Sequence, residues 1–137
     1  MEPLISLTIL NSSKQFPAGE TLHWEFQIDA VEKDELQAVE TSVLWYSEGK
    51  GEPELGVHYF QRHVKADSPD GDLRCLRRCE TVLPNSPLSY SGTLLKIKWC
   101  IRIRGFLTNG KTFVHDQPFK LHNAAIAKNQ PLILQTA

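Results

Sequence analysis

Long hydrophobic runs, paired cysteines and an excess of charge of one sign are all missing from this 137-residue sequence. No segment approaches the roughly 20 apolar residues that span a bilayer, so we predict no integral membrane segment. The cysteines Cys75, Cys79 and Cys100 are odd in number. This argues against a disulfide framework and predicts a reducing, cytoplasmic location. Residues 1–10 have no positively charged region of the kind that opens a signal peptide.

The charge balance and the missing motifs exclude further classes of function. Fifteen lysines and arginines stand against 16 acids, and a formal net charge of −1 provides no basis for nucleic acid binding. The sequence contains no P-loop, no glycine-rich dinucleotide fingerprint and no nucleophile elbow. Cys75 and Cys79 would lie about 13 Å apart on a strand, too far to share a zinc ion. We therefore expect no cofactor, no metal and no enzymatic activity, and we expect the cysteines to be buried or half-buried.

Alternation of apolar and polar residues with a period of two is the dominant pattern. Within residues 21–29 the apolar side chains fall on one face: Leu22, Trp24, Phe26 and Ile28. The same alternation occurs in residues 39–45 and over a longer stretch in residues 95–103. About seven such strands separated by turns predict an all-β fold, an antiparallel, immunoglobulin-like β-sandwich that lacks the immunoglobulin disulfide.

The length of the chain predicts a single domain in residues 1–122, followed by a tail in residues 123–137. Residues 131–134, PLIL, are the most apolar part of this tail. Such a segment packs on its own domain, adds a strand to the edge of a neighbouring chain, or is partly disordered; we favour the first two. A homo-oligomer assembled through the tail is therefore an alternative.

Alternating cations form the most regular polar feature of the sequence. Lys96, Lys98, Arg102 and Arg104 share the polar face of the longest predicted strand. This basic stripe is either a binding site for acidic peptide, phosphate or anionic lipid, or a solvated face with glutamates on the neighbouring strands. The glycine-rich hairpin of residues 46–54, with Glu48 and Lys50, is predicted to contribute to the same contact surface.

Residues 79–107, CETVLPNSPLSYSGTLLKIKWCIRIRGFL, resemble the arrestin-like β-sandwich family. The resemblance consists of a strand that ends in Leu-Pro, a Pro-x-Ser-Tyr-x-Gly stretch, and a long strand with alternating apolar and basic residues. FPAGE at 16–20 is similar to the turn before the second strand of that fold. The resemblance implies a non-catalytic adaptor or scaffold that binds an unidentified protein or peptide. Family members usually carry two such lobes, whereas this sequence is long enough for only one, so we expect a single-lobed member.

The segment 83–92, LPNSPLSYSG, is too long for a hairpin turn and contains two prolines. We predict that it crosses from one sheet of the sandwich to the other, because Pro84 ends strand pairing. Tyr90 is expected to bury its ring as a plug at the end of the sandwich, and Gly92 to permit the bend into the next strand. The favoured function is a protein-binding module. A self-assembling subunit and, less favoured, a hydrolase with an unrecognised site are the alternatives.

Overall fold

A computed structural model describes residues 2–123 of the chain. In these residues it contains nine β-strands: β1 (Leu4–Ile9), β2 (Gln15–Pro17), β3 (Thr21–Asp29), β4 (Leu36–Gly49), β5 (Leu55–Val64), β6 (Arg77–Val82), β7 (Tyr90–Ser91), β8 (Leu95–Leu107) and β9 (Thr112–His122). Two short 3₁₀ turns, Lys33–Glu35 and Lys65–Asp67, are the helical elements of the described range. The all-β prediction is confirmed.

The strands form two sheets that face each other. One sheet has the order β1-β3-β6, and the other has the order β2-β9-β8-β4-β5, with β7 also paired to β8. All pairs are antiparallel except β2 with β9, which is parallel. Seven strands have six residues or more, as the sequence pattern predicts; β2 and β7 are shorter and carry no alternation that the sequence would reveal.

The core fills the space between the sheets with the side chains that the alternation selects. Trp24 of β3 and Ile101 and Ile103 of β8 are fully buried. The buried indole N–H of Trp24 donates a hydrogen bond to Thr41 Oγ1 of β4, 3.1 Å away. This bond joins the two sheets through the core and satisfies a donor that has no access to water.

The segment 83–92 leaves β6 in one sheet and enters β8 in the other, so the predicted crossing is confirmed. Leu83 is buried, and the carbonyl of Pro87 accepts a hydrogen bond from Trp99 Nε1 at 2.8 Å. The expectation that Tyr90 is a buried plug is wrong, because its side chain is 58% exposed. Its ring lies over Gly92, where an added Cβ would approach ring atom Cε2 to 2.6 Å. Gly92 therefore provides the space for an exposed ring.

The seam between edge strands β5 and β6 closes one side of the sandwich. A register shift between Val43 and Leu44 leaves His58 without a partner on β4, and its ring nitrogen lies 2.7 Å from the carbonyl oxygen of Val82. Further along the seam, His63 Nε2 is buried without a hydrogen-bond partner among the described residues. Burial, and next the charge of Arg77, lower the pKa of His63, whereas Asp67 opposes this shift.

Strand β6 begins only at Arg77, because the residues before it form a loop. In that loop Arg74 makes a bidentate ion pair with Asp72 and donates a hydrogen bond to the carbonyl of Val31. Hydrogen bonds from Arg74 lower the pKa of Asp72 to about 2. Cys75 belongs to this loop and is exposed, so the prediction of a buried or half-buried cysteine is wrong there. Cys79 is half-buried and Cys100 is buried.

Part of the predicted organisation lies outside the described residues. Residues 124–137 of the tail, with the PLIL segment at 131–134, lie outside the described residues. The role of the tail in assembly therefore stays a prediction, as do the domain boundary at 122 and the cytoplasmic location. Within the described part of the chain, no helix has the length and apolar character needed to cross a bilayer.

Substituting Thr41→Val removes the acceptor of the buried Trp24 indole at nearly constant volume. An unsatisfied buried donor costs roughly 1–3 kcal/mol, so we expect the free energy of unfolding in urea to fall by about that amount. Ser42→Ala, at the next position of the same strand, is the control, because the described residues offer Ser42 no side-chain hydrogen bond. An equal loss in both variants would contradict the assigned role of the Trp24 bond.

The environment of His63 predicts a loss of stability in mild acid. Its pKa in the folded chain is lowered, so the unfolded chain binds the proton more readily. Stability is therefore expected to fall as the pH drops below about 6.5, the ordinary histidine pKa. The change in unfolding free energy between pH 7 and pH 5 should be smaller in His63→Gln than in the parent chain. His115→Gln, at an exposed position on β9, should retain the parental pH dependence.

Candidate binding groove

Strand β8 has two different neighbours along one of its edges, and the sheet forks where they meet. β7 pairs with β8 at Lys96 and Ile97, whereas β9 pairs with β8 from Trp99 onward. Beyond Phe119, β9 leaves β8 and pairs with β2 instead. The backbone N–H of Ser89 donates a hydrogen bond to the carbonyl of Leu121 at 2.8 Å. This bond links the segment before β7 to the end of β9.

A groove with a volume of about 660 Å³ opens at this fork. Its lining contains four charged side chains, and all four are lysines: Lys14, Lys96, Lys98 and Lys120. Two tyrosines, Tyr46 and Tyr90, and an apolar group from β8 and β9 complete most of the wall. The volume lies within the range of about 300–1,000 Å³ that is typical of ligand sites. We refer to this feature as the fork groove.

Most of the positive charge in the fork groove is not neutralised. Lys98 forms an ion pair with Glu48, with 2.9 Å between Nζ and Oε1, and this hydrogen bond raises the lysine pKa. Lys14, Lys96 and Lys120 form no ion pair within residues 2–123. Lys120 and Lys14 lie close together because the backbone N–H of Lys120 donates to the Lys14 carbonyl at 3.0 Å. The four lysines of the groove thus have one carboxylate partner, that of Glu48. This local excess of positive charge occurs although the whole chain has a net charge of −1.

The basic stripe predicted from the sequence therefore divides into two halves. Lys96 and Lys98 line the fork groove, but Arg102 and Arg104 lie further along β8. Arg102 makes a bidentate ion pair with Asp116, at 2.8 and 3.0 Å, and Asp116 raises the pKa of the guanidinium. Arg104 lies opposite Glu40, whose carboxylate accepts a hydrogen bond from Arg62 at 2.6 Å. Within residues 2–123, Arg102 is therefore neutralised by Asp116, whereas Arg104 forms no ion pair because Glu40 pairs with Arg62.

The hairpin residues Glu48 and Lys50 have structural contacts beside the groove. Glu48 belongs to β4 rather than to the loop, and its carboxylate lies near Lys98. The backbone N–H of Lys50 donates to the carbonyl of Leu94 at 2.8 Å. This bond ties the β4–β5 turn to the turn before β8. The role of Glu48 and Lys50 in partner binding stays a prediction.

Cys100 lies in the middle of the stripe but is only 2% exposed. It is positioned between Leu44 of β4 and Pro118 of β9, and Leu44 is also buried. Burial, and next the charge of Asp116, raise the pKa of this thiol to about 12. The outer face of the sheet is thus interrupted by an uncharged, buried band between the lysines and the arginines.

Tyr46 lies in the predicted 46–54 contact segment, whereas the sequence pattern does not indicate Lys14 or Lys120. Lys14 precedes a three-residue strand, and Lys120 follows a proline in β9. Their proximity results from the parallel β2–β9 pairing. The sequence has no short-range signal for such a pairing, because parallel neighbours are brought together by the rest of the fold.

The two sheets and their connections define an all-β, arrestin-like β-sandwich. The fold is similar to that in the crystal structure of Spo0M, a sporulation control protein from Bacillus subtilis. The TM-score is 0.60 at 7% sequence identity, and the match covers 88% of this chain and 49% of Spo0M. This chain therefore spans about half the length of that protein. No family model matches the sequence, and the curated proteins contain no match.

The cysteine environments predict a clear order of alkylation by iodoacetamide in the folded protein. The thiolate is the reactive form, so we expect exposed Cys75 to react and Cys100, with a pKa of about 12, to remain unmodified. Peptide mapping by mass spectrometry measures this order. In urea all three cysteines should react, which is the control for access. Equal rates at Cys75 and Cys100 in the folded chain would contradict the burial described here.

Proposed function

We propose that this chain is a non-catalytic protein-binding module, an arrestin-like domain that binds acidic peptide segments in the fork groove. The observation that carries the proposal is the set of four lysines around one groove without an acid in its lining. Carboxylates of a partner would pair with Lys14, Lys96 and Lys120, which have no ion pair within the described range. Arg102 and Arg104, the rest of the basic stripe, lie further along β8, and together with Glu48 and Lys50 they extend the contact surface.

The charge distribution favours the lysine half of the stripe as the main contact. Arg102 is already engaged by both oxygens of Asp116, so a partner would have to displace that carboxylate. The lysines of the groove require no such displacement, apart from Lys98. Exposed charges are also less costly to desolvate than the half-buried Arg102 guanidinium, 25% of whose side chain is exposed.

The fold supports a binding function more than a catalytic one. The similar protein Spo0M is described as a sporulation control protein, which is a regulatory role. In the groove the pKa of Lys98 is raised, whereas a nucleophilic lysine requires a lowered pKa. Binding by surface loops and sheet faces agrees with both observations.

Charge reversal at one groove lysine tests the proposal. We expect Lys120→Glu to weaken binding of a hexaglutamate peptide about fivefold, since one exposed ion pair is worth up to about 1 kcal/mol. Binding should weaken further as salt is added, because these charges are exposed and screened. Isothermal titration calorimetry at low salt measures both effects.

Lys111→Glu is the matched control. Lys111 is exposed and precedes β9 at the opposite end of β8, and its reversal changes the net charge by the same amount. Unchanged binding in Lys111→Glu identifies the fork groove as the site. Equal weakening in both variants, or no binding by the parent chain, would overturn the proposed function.

A further inference from the structure

The fork groove has an apolar part that charge alone does not explain. Besides the lysines, its lining includes Ile97, Trp99, Pro118 and Phe119. Trp99 and Phe119 belong to the hydrophobic core, and their ring centroids are 5.9 Å apart. The groove therefore reaches the margin of the core at the place where β9 departs from β8. Trp99 and Phe119 are themselves buried, so the accessible apolar wall of the groove consists of half-buried Ile97 and exposed Pro118, which a simple anion would leave in contact with water.

The ring of Tyr90 adds an exposed apolar surface to the same groove. It is 58% exposed and lies over Gly92, which leaves no room for a Cβ beneath it. Tyrosine provides a large contact area at a low cost in conformational entropy, which is why it is common in recognition surfaces. The ring is thus held at the groove although no buried contact requires it there.

We propose that the fork groove binds an acidic peptide through one apolar anchor side chain, aliphatic or aromatic, that inserts beside Tyr90 and packs against Ile97 and Pro118 at the margin of the core. Acidic residues on either side of the anchor meet Lys14, Lys96 and Lys120. This inference rests on the proposed function and adds the class of peptide: an acidic segment with a hydrophobic residue at its centre. The amines determine where the peptide lies, and the anchor provides most of the discrimination between peptides, because apolar burial is not screened by salt.

An acidic peptide fits the described surface better than a nucleic acid does. Single-stranded nucleic acids require a positively charged path that follows the backbone over several nucleotides. Here the lysine cluster is followed along β8 by buried Cys100 and then by Arg102, whose guanidinium is already paired with Asp116. The positive surface is therefore short and local, which suits one anchor with a few flanking acids.

The test compares three peptides on the full-length chain: one with leucine between two pairs of glutamates, one with alanine at the centre, and one with leucine between glutamines. Isothermal titration calorimetry should show at least fivefold tighter binding of the leucine–glutamate peptide than of either other peptide. Its heat capacity change should be more negative than that of the alanine peptide, which is the robust mark of apolar burial.

Two variants assign the anchor to the groove. Tyr90→Ser should reduce the preference for leucine over alanine, while the dependence on glutamate is retained. Phe60→Ser is the matched control, because Phe60 is an aromatic residue of similar exposure, 54%, on β5 and outside the groove. It should leave the preference unchanged. Circular dichroism and urea unfolding establish that both variants are folded.

The outcomes separate this inference from the proposed function. Equal binding of the leucine and alanine peptides, still weakened by Lys120→Glu, would overturn the anchor and leave the acidic-peptide function intact. No binding of any glutamate peptide would overturn both. Tighter binding of a single-stranded oligonucleotide than of the leucine–glutamate peptide would also overturn the inference, since the groove would then read a phosphate backbone.

Discussion

The pairing of β8 with β4 is the constraint on which the rest of the structure depends. The two strands pair along nearly their whole length, in a register that aligns Trp99 with Trp45 and Ile103 with Thr41. This register fixes the inner face as the core and the outer face as the site of the charged side chains. It also places Glu48 opposite Lys96, within reach of Lys98.

The groove follows from how the other edge of β8 is shared. Because β7 and β9 each cover only part of that edge, the strands diverge, and the end of β9 finds its partner in β2. A continuous neighbour along this edge of β8 would have closed the sheet and left no groove beside Lys96 and Ile97. The fork groove thus lies at a break in regular strand pairing. This agrees with the general tendency of binding sites to lie where regular secondary structure ends.

Much of the fold was accessible from the sequence, and the site only in part. The strand alternation and the long crossing at 83–92 identified the two-sheet architecture, because the period of two and the proline punctuation are local properties. The position of Tyr90 in the crossing predicts a buried plug similar to a tyrosine corner, but the ring is exposed and lies over Gly92. Lys96 and Lys98 were singled out, whereas Lys14 and Lys120 were not, since they join the groove through a non-local strand pair.

The sequence by itself determined the all-β class, the core-facing residues of β3 and β8, and the row of cations on the opposite face of β8. These features are encoded in the order of neighbouring residues, which period-two geometry converts directly into faces. Only the tertiary structure decided which cations are neutralised and which surround a groove. That outcome depends on residues far apart in the chain, such as Arg102 with Asp116 and Lys14 with Lys120, whose proximity is set by strand order and register.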